Sequence, residues 1–121
     1  MEEKEVNALH GLIALSMESM GVAVTIVDKE GTLVYYNKEA ARILDRKPEY
    51  IGEDIHSHHK KAASNKKVDL MLEDFRKGRR KPFRYKAKPY GKTIYVTLSP
   101  IMKDGRFVGC TQTVQLKDDM D

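Results

Sequence analysis

A chain of 121 residues with a formal net charge of +4 and 33% charged residues has the size and composition of one globular domain. Its single cysteine, Cys110, excludes an intramolecular disulfide and any multi-cysteine zinc or iron–sulfur site. No apolar run approaches the roughly 20 residues that span a bilayer, and the acidic start "MEEKEV" lacks the apolar core of a signal peptide. We therefore expect a cytoplasmic protein with no membrane partner.

The first predicted element is an amphipathic helix over residues 3–20, which Gly21 would end. Apolar side chains recur along it at helical spacing: Val6, Leu9, Leu12, Ile13, Leu15, Met17 and Met20. So much apolar surface on a terminal helix needs a partner, either the domain's own sheet or the same helix of a second chain. We expect a homodimer through residues 3–20.

A β-hairpin and two short helical segments are predicted next. Residues 21–37, "GVAVTIVDKEGTLVYYN", contain two β-rich runs joined by "DKEG", which places Asp28 and Gly31 at the first and last positions of a type I turn. Asn37 is expected to cap the helix "KEAARIL". Pro48 opens a short helical turn, "PEYIG".

The last half of the chain predicts one longer helix and three strands. In "NKKVDLMLEDFRKG", Val68, Leu72 and Phe75 fall at i, i+4 and i+7, with Met71 beside them and Gly78 as a stop. Three β-rich runs follow, "KPFRYKAKPY", "TIYVTLSPIM" and "FVGCTQTVQL", with turns at "YGK" and "KDGR". The whole order predicts one α+β domain with helices on one face of an antiparallel sheet.

These elements resemble a PAS domain over about residues 20 to 117. The resemblance is carried by "VTIVDKEGTLVYYNKEAARIL", "KPEYIGEDI" and "YVTLSPIMKDGRFVGCTQTVQ", which stand in the order and at the spacing typical of the family. It implies a five-stranded antiparallel sheet of order 2-1-5-4-3 with helices on one face. It also implies a flanking dimerisation helix over residues 1–20, a PAS domain over residues 21–117 and a C-terminal tail over residues 118–121.

The same resemblance implies a function in signalling. PAS domains are sensory or interaction modules that hold a small ligand, dimerise through a flanking helix and pass a signal to an output domain or partner protein. The sequence has no nucleophile elbow, phosphate loop or metalloprotease histidine pair, so we expect no catalytic residues and no enzyme activity. The final "QLKDDMD" follows the last predicted strand where an output linker usually begins, which favours an excised fragment or a small stand-alone protein.

Two further segments, "LEDFRKGRR" and "HSHHKKAAS", resemble PAS domains attached to hemerythrin-like domains. That branch tends to carry Cys-His-Pro before a serine. Here His58 and His59 stand at the first two of those positions, and Lys60 replaces the proline.

Residues 53–67, "EDIHSHHKKAASNKK", hold three of the four histidines. If this segment is helical, His56 and His59 lie at i, i+3 and can present two imidazoles to one metal ion. Alternatively, His56, His58 or His59 ligates haem iron. Without a cofactor, all three are exposed or hydrogen-bonded histidines in a basic loop. The three alternatives stay open, and the cofactor stays unidentified.

Flavin is disfavoured, because the light-sensing flavin branch needs a cysteine where this chain has "KKAASNKK". Cys110 is instead expected to be a small buried residue of the final strand. At most one of Gln112 and Gln115 faces a cavity, since they alternate in direction. The face of "TIYVTLSPIM" that turns inward stays open. Beside the three histidines, the candidate pocket residues are Met71, Phe75 and Tyr95.

The charge is unevenly distributed. Thirteen Lys or Arg and only three acids lie between Lys60 and Lys92. A basic region can bind nucleic acid or another anionic partner, or it can be a solvated helix face and hairpin loop. The sequence has no recognition-helix pattern and no aromatic residues interleaved with the basic ones. Nucleic-acid binding is therefore the lesser alternative.

Overall fold

The computed structural model describes residues 2–55 and 62–120. Short 3₁₀ turns lie at Pro48–Tyr50, Pro89–Gly91 and Lys117–Asp119. In chain order the main elements are helix α1 (Glu3–Glu18), strands β1 (Ala23–Asp28) and β2 (Leu33–Tyr36), helices α2 (Lys38–Leu44) and α3 (Ala62–Arg76), and strands β3 (Phe83–Ala87), β4 (Ile94–Lys103) and β5 (Arg106–Leu116).

The five strands form one antiparallel sheet of order β2-β1-β5-β4-β3, as predicted. The longest strand, β5, lies at the centre and pairs with both β1 and β4. A tight turn joins β4 to β5, in which Asp104 and Gly105 have φ angles of 51° and 77°. Two consecutive positive φ angles are typical of the hairpin turn whose twist matches that of the strands.

The hairpin between β1 and β2 has the predicted turn. The Gly31 N–H donates to the Asp28 carbonyl at 3.0 Å. The Asp28 side chain accepts from the N–H groups of Glu30 and Thr32 at 2.9 and 3.0 Å. The aspartate at the first position therefore accepts hydrogen bonds from backbone N–H groups in and just after the turn. This local preference explains why the turn could be predicted from the sequence.

Two helix boundaries differ from the prediction. Helix α1 ends at Glu18, two residues early, where the Ser19 N–H still bonds the Leu15 carbonyl at 3.0 Å. Helix α3 begins at Ala62, three residues before the predicted segment. Alanine has the highest helix propensity, which favours helix at Ala62 and Ala63. Gly78, with a φ of 115°, follows its end as expected.

The core lies between the sheet and helices α2 and α3. On β4 the aliphatic set faces this core, since Ile94, Val96 and Leu98 are buried and Tyr95 is exposed. One buried cluster, beneath α3, contains Val27, Leu33, Ile55, Met71, Leu72, Phe75, Leu98 and Cys110. The other, beneath α2, contains Ala23, Ala40, Ile94, Val96 and Val114.

Helix α1 does not pack on the sheet. Of its described side chains, only Met17 and Glu18 at its C-terminal end are partly covered. Its apolar side chains Leu9, Leu12, Ile13 and Leu15 are 45, 65, 48 and 66% exposed. Burying side chains of this kind is worth about 1.5–3 kcal/mol each, so the helix has a substantial apolar surface to offer to a partner.

Asn37 links α1, β1 and α2 through a single buried side chain that is 1% exposed. Its Oδ1 accepts from the N–H groups of Val24 and Ala40 at 2.9 and 3.0 Å. Its Nδ2 donates to the carbonyls of Met17 and Val22 at 2.8 and 3.0 Å. The predicted helix cap is therefore confirmed, and the same amide also holds the end of α1 against the start of β1.

We expect Asn37→Ala to lower the free energy of unfolding by about 2–4 kcal/mol, because it removes a helix cap and leaves buried backbone groups unpaired. Urea denaturation monitored by circular dichroism measures this change. The neighbouring exposed Lys38→Ala is the control, with an expected change below about 0.5 kcal/mol. Equal effects of the two substitutions would contradict the role assigned to the Asn37 amide.

Candidate ligand cavity beneath helix α3

A small, partly open cavity of about 30 Å³ lies between α3 and the strands of the sheet. Its apolar walls are Val27, Ile55, Val68, Leu72, Leu98 and Cys110. Four polar side chains complete the lining: Thr25, Arg46, Tyr85 and Gln112. An apolar cavity with a few convergent polar groups is the usual form of a small-molecule site.

Backbone pairing positions one wall of this cavity. The Gly52 N–H donates to the Leu33 carbonyl at 2.8 Å, and the Ile55 N–H donates to the Gly31 carbonyl at 2.9 Å. Residues 52–55 therefore run beside β2, and Ile55 is buried over the sheet with 4% exposure.

Arg46 is the one basic residue that the described part of the chain buries, with 7% exposure. It follows Asp45, which ends α2 in the left-handed conformation with a φ of 56°. This reversal turns the chain back over α2, and the Arg46 N–H reaches the Ala40 carbonyl at 3.5 Å. The local geometry thus directs a side chain from a polar loop into the cavity.

The guanidinium of Arg46 is only partly satisfied. Its Nη2 donates to Oε1 of Gln112 at 3.3 Å. Its buried Nε has no hydrogen-bond partner among the described residues, and no carboxylate in that part of the chain lies within salt-bridge distance. Burial lowers the pKa of Arg46 to about 10, against an opposing influence of Tyr50. The side chain stays positively charged at neutral pH.

Thr25 and Gln112 face each other across the pairing of β1 and β5. The Thr25 hydroxyl is buried, in a residue that is 2% exposed, and it too lacks a hydrogen-bond partner within residues 2–55 and 62–120. Buried polar groups in folded proteins are nearly always hydrogen-bonded. The two unpaired groups, Arg46 Nε and Thr25 Oγ1, belong to residues that line the same cavity.

The two weak acids that line the cavity are held in their neutral forms. Burial raises the pKa of the Cys110 thiol to about 12. Burial, together with the nearby Cys110, also raises the pKa of the Tyr85 phenol. The ring of Tyr85 is covered by Lys67, whose Nζ lies 3.8 Å from the ring centroid. The cavity therefore contains one positive charge and no negative side chain among the residues that line it.

The residues proposed from the sequence are distributed differently. Met71 and Phe75 are buried in the cluster beneath α3, but Val68 and Leu72 are the α3 residues that line the cavity. Tyr95 is 38% exposed on the opposite face of β4. His56, His58 and His59 lie outside the described residues.

The sequence predicted that at most one of Gln112 and Gln115 faces a cavity. Of the two, Gln112 is the one that lines it. The prediction missed Arg46 and Thr25. Arginine is rarely buried without a partner, and "DRKPE" has the composition of a solvated loop. Nothing in the local sequence distinguishes Arg46 from its exposed neighbours.

The metal and haem hypotheses concern His56, His58 and His59, which the structure does not describe. Within the described residues no group of three His, Cys, Asp or Glu side chains is placed to hold a metal ion. A cavity of about 30 Å³ is also far smaller than the roughly 300–1,000 Å³ of ordinary small-molecule pockets, and haem is larger than most of their ligands.

A second, wider groove of about 420 Å³ lies beside the β4–β5 turn. It is open to solvent and is lined partly by backbone and charged side chains, including Arg76 and Arg106. None of the unpaired buried polar atoms of the described chain borders it. The smaller cavity beneath α3 is therefore the better candidate for a specific site.

Several basic residues of the 60–92 region are engaged within the domain. Arg76 and Arg80 donate to the carbonyls of Lys29 and Gly105 at 2.7 and 3.2 Å. Arg79 covers the ring of Phe83, with 3.7 Å between its Cζ and the ring centroid. These contacts favour a structural role for part of the basic region.

The comparison with known proteins agrees with the fold. A family model described as a PAS domain matches residues 14–115. A C-terminal domain from Streptococcus mutans is 25% identical, with a TM-score of 0.71 over 88% of this chain and 84% of that chain. The PAS domain of Bordetella pertussis BvgS is 15% identical, with a TM-score of 0.70 over 89% and 85% of the two chains.

The photoactive yellow protein domain of the sensor histidine kinase Ppr from Rhodospirillum centenum is 16% identical, with a TM-score of 0.65 over 89% of this chain and 96% of that chain. No curated protein matches the sequence. The chain belongs to the PAS domain family, whose members are sensory domains of signal transduction and are generally not enzymes. None of its described helices is long and apolar enough to cross a bilayer.

The buried thiol gives a test of the cavity wall. At pH 8 we expect native Cys110 to react with a disulfide reagent at least about a hundredfold more slowly than in the urea-unfolded chain, because its raised pKa suppresses the thiolate and its side chain is enclosed. Stopped-flow absorbance measures both rates. The control is the double variant Cys110→Ala, Val108→Cys, which moves the thiol to an exposed position on the same strand.

The same shift makes stability depend on pH. The folded state holds the Cys110 proton more tightly than the unfolded chain does, so unfolding releases it above about pH 9 and the free energy of unfolding falls as the pH rises toward 12. Cys110→Ala removes this contribution. A native thiol that reacts as fast as the exposed control would contradict the enclosed geometry.

Proposed function

We propose that this chain is a cytoplasmic PAS sensory module, which binds a small ligand beneath α3 and acts as a homodimer through α1. The observation that carries the ligand part is a pair of polar groups without a partner among the described residues, Arg46 Nε and Thr25 Oγ1, in two residues that line one small cavity. Leaving such groups buried costs about 1–3 kcal/mol each. A bound polar ligand would remove that cost.

A short connected route joins the cavity to α1. Thr25 lines the cavity, and the N–H of the adjacent Val24 donates to Asn37. Asn37 in turn donates to the Met17 carbonyl at the end of α1. A ligand that binds one arrangement of β1 more tightly would thereby favour one orientation of α1. The size of this shift equals the difference in the ligand's binding free energy between the two arrangements.

A second copy of the chain is the partner proposed for α1. The sequence stripe of Leu9, Ile13 and Met20 follows one side of this region, and these side chains are 45, 48 and 40% exposed. Spacings of four and seven residues keep these side chains on one side, as in helices that pair in parallel or antiparallel fashion. Burying these side chains against the same helix of another chain supplies the hydrophobic contact that the sheet does not.

We expect Ile13→Asp to convert the dimer to a monomer, because it places a charge in the centre of the proposed apolar interface. Size-exclusion chromatography with light scattering measures the mass. The control is Asn7→Asp, which adds the same charge to α1 about 140° around the helix from the stripe. A mass unchanged by Ile13→Asp, or lowered equally by Asn7→Asp, would exclude this interface.

Haem binding through His56, His58 or His59 is the alternative that the sequence raised. We expect the purified protein to show no Soret band, because the cavity beneath α3 is too small for a macrocycle and no histidine is among the described residues that line the wider groove beside the β4–β5 turn. An absorption spectrum before and after addition of haem checks this. A sharp Soret band that His56→Ala or His59→Ala abolishes would establish the haem function instead.

A further inference from the structure

We infer that the cavity beneath α3 binds a short-chain monocarboxylate, whose carboxylate pairs with the guanidinium of Arg46 and whose carbon chain contacts the apolar walls. This inference rests on the proposed function, because it names the ligand class of the same cavity. Three features of the cavity support it: its hydrogen-bonding groups, the charges around them and the apolar surface that surrounds both.

Arg46 presents a charge with no matching partner. Charged side chains are almost never buried unless they are paired, and an unpaired buried charge is strongly destabilising. The contact of Arg46 to the neutral Gln112 oxygen is long, at 3.3 Å, and the Nε is unpaired among the described residues. A carboxylate supplies the missing negative charge and two acceptor oxygens that match the planar guanidinium.

The second unpaired group adds to this match. The Thr25 hydroxyl can donate its proton, while a carboxylate only accepts. The register places Thr25 opposite Gln112, the residue that already contacts Arg46. The two oxygens of a carboxylate would thus accept hydrogen bonds from the Thr25 hydroxyl on β1 and from the Arg46 guanidinium on the loop after α2. A neutral amide of the same shape supplies one acceptor oxygen and brings no charge.

The surrounding groups do not compete with an anion. Tyr85 and Cys110 are the other ionisable side chains of the lining. Burial raises the pKa of each, so both stay neutral at pH 7. A carboxylate would therefore meet one cation and no like charge among the residues that line the cavity.

The apolar walls limit the ligand to one charge and a short chain. Val27, Ile55, Leu72 and Leu98 offer no hydrogen bonds to a second carboxylate or a phosphate dianion, which would lose its hydration without compensation. By the measure that assigns about 10–15 Å³ to one water, about 30 Å³ is room for two. That is about the space of the two oxygens of one carboxylate, so only the shortest carbon chains, such as those of acetate and propionate, are compatible with it.

The test titrates the ¹⁵N-labelled protein with sodium propionate at constant ionic strength and follows its amide resonances by NMR. We expect saturable shifts at Thr25 and Gln112. Propionamide, sodium chloride and succinate, added at the same concentrations, should give at most a tenth of the affinity. The wild-type melting temperature should rise with propionate alone, because a ligand that binds only the folded state stabilises it.

Arg46→Met is the decisive variant, since it keeps a long side chain and removes the charge. We expect it to remain folded, because loss of an unpaired buried charge does not destabilise, and to weaken propionate binding at least tenfold. Arg46→Gln is a second variant that retains a hydrogen-bond donor. The matched control is Arg84→Met, which removes an exposed arginine from β3 and should leave binding unchanged.

Each other outcome overturns the inference in a distinguishable way. Equal binding of propionamide and propionate would show a cavity that takes neutral ligands, which refutes the carboxylate and leaves the proposed ligand function in place. Shifts with chloride equal to those with propionate would show a simple anion site. Undiminished binding by both Arg46 variants would place the carboxylate elsewhere. No shift at any cavity residue would refute the ligand part of the proposed function as well.

Discussion

The side-chain amide of Asn37 is the interaction on which the arrangement of this domain depends. It satisfies two donors and two acceptors at once, and these belong to the end of α1, the segment that follows it, the start of β1 and the first turn of α2. The backbone N–H of Asn37 also donates to the Val24 carbonyl at 3.0 Å, so side chain and main chain hold the same strand. No residue other than asparagine or glutamine has an amide that can do this, and glutamine is longer by one methylene. Asn37 thereby connects helix α1 to the sheet and to α2.

The core beneath α3 combines close apolar packing with one charged side chain. Phe75 fills the end of this cluster, with its ring centroid 5.3 Å from that of Phe83 and 5.9 Å from that of Phe107. Toward the other end, the packing gives way to the cavity that Arg46 and Thr25 border. Natural domains keep such locally unfavourable groups mainly where function requires them. Close apolar packing and the polar-lined cavity thus occupy different parts of one cluster.

Elements decided by nearby residues were predictable, and those decided by distant ones were not. The turn that begins at Asp28 and the helix capped at Asn37 were predictable, because in both a side chain bonds backbone groups close to it in sequence. The order of the five strands was predictable from the resemblance to the family. The inward face of β4 was undetermined, because both of its faces are β-prone and only the packing of α2 and α3 separates them. Arg46 was missed for the same reason. Its contact with Gln112 joins residues 66 positions apart, and its inward direction depends on the left-handed Asp45.

Helix α1 is held to the domain near its C-terminal end. Besides the Asn37 contact to Met17, the Tyr35 hydroxyl donates to Glu18 at 2.8 Å, and burial and this contact raise the pKa of Tyr35 to about 12, so the donor keeps its proton. At a rise of 1.5 Å per residue, its 16 residues extend about 24 Å. Because α1 is held near its C-terminal end, a small tilt there displaces its N-terminal end by a larger distance. A tilt of about 5° at the attached end therefore moves the free end by about 2 Å, which is as large as the shifts by which helices at subunit interfaces switch between arrangements.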